Sequence, residues 1–200
     1  MPRNAYGLLS ARVNHQIQSP DARSASAKVG RVGGCNICHQ DETLAWTAGH
    51  LEAWYGQEAP PLTREEGEVA LLAQHAVQGH AAQRVLAASL MGRDGQAGER
   101  GWQVPFLLRL LDDDYDAVRI VAYRALRSFP GFADFPFDYM ADPSERETAI
   151  QRAERRAAAQ GDAYRLPGPH VLGTPDGGLD EERYSELREA RDLTPMWIGE

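Results

Sequence analysis

Leu71-Leu72-Ala73 followed by Ala82-Gln83-Arg84-Val85-Leu86-Ala87 returns 35 residues later as Phe106-Leu107-Leu108 followed by Ala117-Val118-Arg119-Ile120-Val121-Ala122. Each copy reads as an apolar helix, a polar turn (Gln78-Gly79, then Asp112-Asp113-Asp114) and a second apolar helix. A single α-hairpin cannot bury its apolar face alone, so stacked neighbours must do it, as in an α-solenoid. The expected class is therefore all-α. Two hairpins are fewer than a free-standing solenoid needs, so the segments on either side must act as caps.

On the N-terminal side, Gln57 to Leu62, with Pro60-Pro61, reads as a linker, and Thr63 with Glu66 forms a capping box that opens a helix. Before the linker, Leu44, Thr47, Ala48, Leu51, Trp54 and Tyr55 recur at helical spacing, with Trp46 off the stripe and Gly56 in position to end the helix. On the C-terminal side, Phe129-Pro130-Gly131-Phe132 and Phe135-Pro136-Phe137 form an aromatic-proline loop expected to pack on the last hairpin. Asp142 as N-cap and Pro143 at N1 open a helix through about Gln160, with Ile150, Ala153 and Ala157 on one face. A Gly/Pro-rich stretch, Leu166 to Gly178, precedes a last short helix from Asp180 to Arg191, with Tyr184 and Leu187 as its apolar residues. The expected divisions are 1–56, 63–132 and 133–200.

Composition narrows the function. The 200 residues carry a net charge of −8, against bulk nucleic-acid binding, which needs a cationic footprint. No apolar run approaches the ~18 residues of a membrane span, and no apolar core follows Met1-Pro2-Arg3-Asn4 as a secretory signal would require. Residues 57–200 assemble no nucleophile, base and oxyanion site, and no phosphate loop.

Both cysteines fall in Cys35-Asn36-Ile37-Cys38-His39. C-x-x-C-H is the attachment signature of haem c: two thiols about one turn apart add to the two vinyl groups, and the adjacent histidine reaches the iron. Three rival readings stay open. A zinc site needs two further ligands; His50 follows, but Trp54, Tyr55 and Gly56 stand where a second histidine would fall. A thioredoxin-like redox pair wants a βαβ context that the pattern lacks. A plain disulfide leaves His39 unexplained.

The flanks suit a haem pocket. Residues 1–34 hold Arg3, Arg12, Arg23, Lys28 and Arg31 against Asp21, a basic strip able to offset haem propionates, or a solvated arm. Gly30, Gly33 and Gly34 would let backbone lie close to a flat ligand. For a sixth iron ligand the candidates are His15, His50, His75, His80 and His170, with Met91 as a thioether. His75 and His80 flank a helix-to-helix turn, where surface exposure is the default expectation, and His170 lies in a Pro/Gly loop and is expected to be exposed.

Asp116, Val118 and Arg119 followed by Ala122 and Leu126 resemble a HEAT repeat, with a spacing slightly shorter than usual that leaves armadillo-like or generic helical hairpins open. More broadly, His15-Gln16-Ile17-x-Ser19-Pro20, the Cys35–His39 motif with Asp41, Leu44-Ala45-Trp46-Thr47-Ala48 and Trp54-Tyr55-Gly56 resemble bacterial multihaem c-type cytochromes with a HEAT-like helical tail. The resemblance runs on through Asp116 to Phe132 and ends around Gly178-Leu179-Asp180 and Arg191-Asp192. It implies a loop-rich haem c segment at 1–56 followed by HEAT-like α-hairpin repeats, and electron transfer between closely spaced haems outside the cytoplasm. It also implies that Cys35 and Cys38 carry the thioethers, that His39 is the proximal iron ligand, and that His15 is the distal ligand of this or a neighbouring haem. Met1-Pro2 is similar to residues that follow a C-x-x-C-H in such proteins, so the expectation is a C-terminal part of a longer, exported multihaem cytochrome, periplasmic through its parent.

Two functions follow as expectations. In the first the chain binds haem c and passes electrons to a redox partner protein or adjacent haem domain, without bond chemistry of its own. In the second it is a helical-repeat protein-protein interaction module whose haem motif is empty or vestigial. A peroxidase-like role would need an open sixth site and a distal acid-base residue.

Overall fold

In the computed structural model, residues 19–25, 32–93 and 101–195 are described in full, and 3–6 and 10–13 by their backbone. The chain begins with an antiparallel hairpin, β1 (Arg3–Tyr6) and β2 (Ser10–Val13), which pairs Arg3 with Val13 and Tyr6 with Ser10. Strands of four residues are too short to display a period-two pattern, and this one small departure from an all-α class was not legible in advance. Helices α1 (Ala22–Ala25), α2 (Gly34–Cys38), α3 (Leu44–Tyr55) and α4 (Arg64–Glu68) follow.

Two helix pairs make the centre. Helices α5 (Leu71–Val77) and α6 (Ala81–Met91) form the first, and α7 (Gln103–Leu110) and α8 (Asp116–Leu126) the second. Helix α6 packs on α8, each also against its own partner, so that Val85, Leu90, Phe106, Leu107, Val118 and Leu126 are removed from water. Helix α9 (Pro143–Ala158) packs on α7, and α10 (Glu181–Glu189) on α5. Phe129, Phe132, Phe135 and Phe137 all enter this core, as do Ala153, Tyr184 and Leu187. A smaller cluster of Ala22, Ala25, Leu44, Ala48, Leu51 and Leu71 joins α1 and α3 to the first residue of α5.

The caps explain the element ends. The Thr63 hydroxyl accepts from the Glu66 amide at 3.2 Å while the Glu66 carboxylate accepts from the Thr63 amide at 2.9 Å, the reciprocal box expected there. Gly56 ends α3 at φ 64°, a left-handed conformation that a side chain would strain.

The 35-residue repeat has a polar counterpart. Arg84 donates to the carbonyl of Gly79 in its own turn (2.7 Å) and forks onto the Asp113 carboxylate in the next turn (2.7 and 2.9 Å). Its equivalent, Arg119, donates to the Asp113 carbonyl in its own turn (2.7 Å) and to the Tyr139 carbonyl beyond (2.8 Å). Each arginine thus ties one turn to the unit that follows. Arg191 completes the set by donating to Asp113 (3.2 Å) and to the Val77 carbonyl (2.8 Å), which holds the segment after α10 against the α5–α6 turn.

Candidate functional site

Within the motif, chemistry faces out and anchors face in. Cys35 and Cys38 are three residues apart on α2, so they share one helix side; Cys38 is exposed, Cys35 is half-buried, and neither thiol is in a disulfide. His39, at the C-cap of α2, is exposed. The residues between them are the anchors. Asn36 is fully buried: its amide donates to the Glu42 carbonyl (2.9 Å), and its Oδ1 accepts from the Thr47 hydroxyl (2.8 Å) on α3. Ile37 packs against the main core. Gln40, also buried, donates to the Leu90 carbonyl on α6 (3.2 Å) and accepts from the Gln103 amide on α7. The motif is therefore bolted to α3 and to both central helix pairs. Asn36 and Gln40 escaped the sequence reading because polar residues beside a haem motif carry no periodic signal.

A ladder of rings leads away from the motif. The His39 ring lies 4.8 Å from Trp46, Trp46 lies 4.2 Å from His50, and His50 lies 4.9 Å from Trp54, centroid to centroid. Trp46, His50 and Trp54 are four apart along α3 and so stand on one side of it. Trp54 and Tyr55 were expected on the buried stripe with Leu44, Thr47, Ala48 and Leu51; instead they are 63% and 70% exposed. The last turn of α3 projects beyond the small cluster that covers its earlier turns, so nothing shields them among the described residues. His50 donates from Nδ1 to the Trp46 carbonyl (2.9 Å), a bond that leaves Nε2 uninvolved.

The remaining predicted residues scatter. His15, with Gly30, Lys28 and Arg31, lies outside the described residues. Arg23 is exposed, with its guanidinium 3.8 Å from Glu58. Gly33 has a packing reason rather than a ligand-facing one, since a Cβ there would meet the Ala25 Cβ at 2.9 Å. Met91 is fully buried in the main core. His80 is half-buried and caps α6, its Nδ1 accepting from the Gln83 amide at 3.4 Å. His170 is half-buried, not exposed. His75 departs most from expectation: it is 1% exposed, because α10 and the chain after it fold over the turn that would otherwise face water.

Two thiols outside any disulfide and an adjoining exposed imidazole set against Trp46 are the donor types that covalent haem attachment uses. Among the described residues no three His, Cys, Asp or Glu side chains gather to hold a bare metal ion, and no helix is long and apolar enough to cross a membrane. Comparison with protein-family models, with curated proteins and with solved structures finds no match.

Proposed function

We propose that this chain is a haem c-binding electron-transfer protein of the multihaem kind, its motif carried on HEAT-like helix pairs. One observation supports the reading: the motif's intervening residues, Asn36 and Ile37, are held against the interior, while the side chains of half-buried Cys35 and exposed Cys38 and His39 have no disulfide or hydrogen-bonded partner among the described residues. A disulfide or a core cysteine pair would have no need of that division.

In this reading Cys35 and Cys38 would hold the haem through thioethers and His39 would supply a nitrogen to its iron. The bound haem supplies a one-electron couple. Asn36 and Gln40 keep the three attaching groups in register with the helical scaffold. Trp46 and Trp54 shield the face from water, and desolvation and local charge tune the couple. His15 is the candidate distal ligand by resemblance, and His50, whose Nδ1 is engaged by the Trp46 carbonyl, is a second candidate.

The test is a haem stain on a denaturing gel after export of the chain in a host with c-type maturation. A retained haem band that disappears in Cys35→Ala/Cys38→Ala supports the assignment; a folded helical protein that never retains haem refutes it. The exposure of Trp54 and Tyr55 favours the second reading in that event, a helical-repeat module that docks a protein through this aromatic edge.

A further inference from the structure

A second site lies away from the cysteines, where α4, the α5–α6 turn and the segment after α10 meet. They surround a cavity of about 270 Å³, lined among others by Glu65, Glu66, Gln74, His75, Gln78 and Asp192. Its walls are fixed: Arg191 donates to the Val77 carbonyl, and the Asp192 amide donates to the Gln78 carbonyl at 2.8 Å.

Three buried atoms there have no hydrogen-bond partner: both ring nitrogens of His75 and Oε1 of Gln74. A neutral imidazole has one donor and one acceptor nitrogen, so the unpaired groups are two acceptors and one donor, which need two donors and one acceptor from an occupant. Leaving such groups unsatisfied costs about 1–3 kcal/mol each, and folded proteins rarely do so without a reason. Burial holds His75 in its neutral form, its pKa lowered to about 4 by desolvation first and His80 second, with Glu66 opposing.

The electrostatics choose the occupant. Glu65, Glu66 and Asp192 line the cavity and no lysine or arginine does; of the cations around it, Arg84 donates to the Gly79 carbonyl at 2.7 Å but is paired with Asp113, and Arg183 lies 3.7 Å from Glu65. An anion is repelled, and an apolar molecule would leave the imidazole and amide unpaired. The volume falls just below the ~300–1,000 Å³ of sites for drug-sized molecules, which limits the guest to amino-acid size.

We propose that this cavity binds a small organic cation, an amine or guanidinium that also carries one hydrogen-bond acceptor, with N–H groups directed to Gln74 Oε1, the unprotonated His75 nitrogen and the Glu65 and Asp192 carboxylates, and the acceptor to the His75 N–H. The proposal is independent of the haem reading, since none of Cys35, Cys38 or His39 lines the cavity.

The experiment titrates the full-length, ¹⁵N-labelled protein with argininamide and ethanolamine, with acetate and acetamide as anionic and neutral controls, and follows the His75 ring resonances. Saturable shifts with a cation and none with acetate are expected. Asp192→Asn and Glu65→Gln, which leave His75 and the core intact, should weaken binding about tenfold, or ~1.4 kcal/mol. His75→Leu should abolish it. Should His75→Leu fail to fold, the two carboxylate variants still decide. No saturation by either cation up to ~10 mM, equal shifts from acetate, or undiminished binding by both carboxylate variants would each overturn the proposal and leave a water-filled structural void.

Discussion

The Thr47 hydroxyl on α3 donates to the Asn36 side chain at 2.8 Å, and neither residue reaches solvent. That bond joins the middle of the cysteine motif to the helix carrying the ring ladder. Replacing Asn36 by Leu strands the Thr47 hydroxyl, at about 1–3 kcal/mol, while the Glu42 carbonyl keeps the Leu71 amide. Chemical denaturation should show that loss, and haem retention should fall with it even though both cysteines and His39 remain.

The thiols differ in access, Cys38 being exposed and Cys35 half-buried. Iodoacetamide on the reduced, haem-free protein should alkylate Cys38 first, as peptide mass mapping over time will show. Equal rates would mean that α2 does not persist in solution.

Trp54 is 63% exposed and contributes little packing. Trp54→Ala should change stability by no more than ~0.5 kcal/mol in thermal melts. If the ring ladder shields a haem, the same variant should lower haem retention. A variant indistinguishable in both measurements would remove Trp54 from the site.

Asp113 receives Arg84 and Arg191 with essentially no exposure of its side chain. Asp113→Ala leaves both guanidinium groups without their anion, which is expected to cost ~3–5 kcal/mol. Arg191→Ala should cost less, because Arg84 retains its fork. Urea unfolding of the two variants tests the ranking.

Acid should act through His75. Its folded pKa, about 4, lies below the ordinary 6.5, so the native state resists protonation while the unfolded chain accepts it. The stability is therefore complete above pH 6.5, falls as pH drops from there toward about 4, and levels off below, a total of roughly 3 kcal/mol. His80, lowered by burial first, then opposed by Asp192 and assisted by Arg84, adds a loss of the same sign. In melts at about pH 7 and about pH 4.5, His75→Gln should narrow the gap between the two melting temperatures.

Much of the scaffold was legible because its signals are local. The Thr63–Glu66 box, the Gly56 stop and the helix opening at Pro143 rest on contacts within a few residues of the chain, and the paired helices around Arg84 and Arg119 were legible through their 35-residue repeat. The motif's outward chemistry was half legible. Cysteine spacing placed both thiols on one side of a turn, but nothing in a pentapeptide says which side will face water.

The sequence by itself determined the helical class, the helix ends and the coincidence of two cysteines and a histidine within one turn, since periodicity, caps and spacing act over a single turn or two. Tertiary structure alone decided what is covered. Asn36 and Gln40 became anchors because α3, α6 and α7 arrive beside them. Trp54 stayed in water because no later element reaches it among the described residues. His75 went inside because Arg191, 116 residues further on, ties the chain's end over its turn. Burial is a property of the neighbour as much as of the residue, and the neighbour is supplied only by the fold.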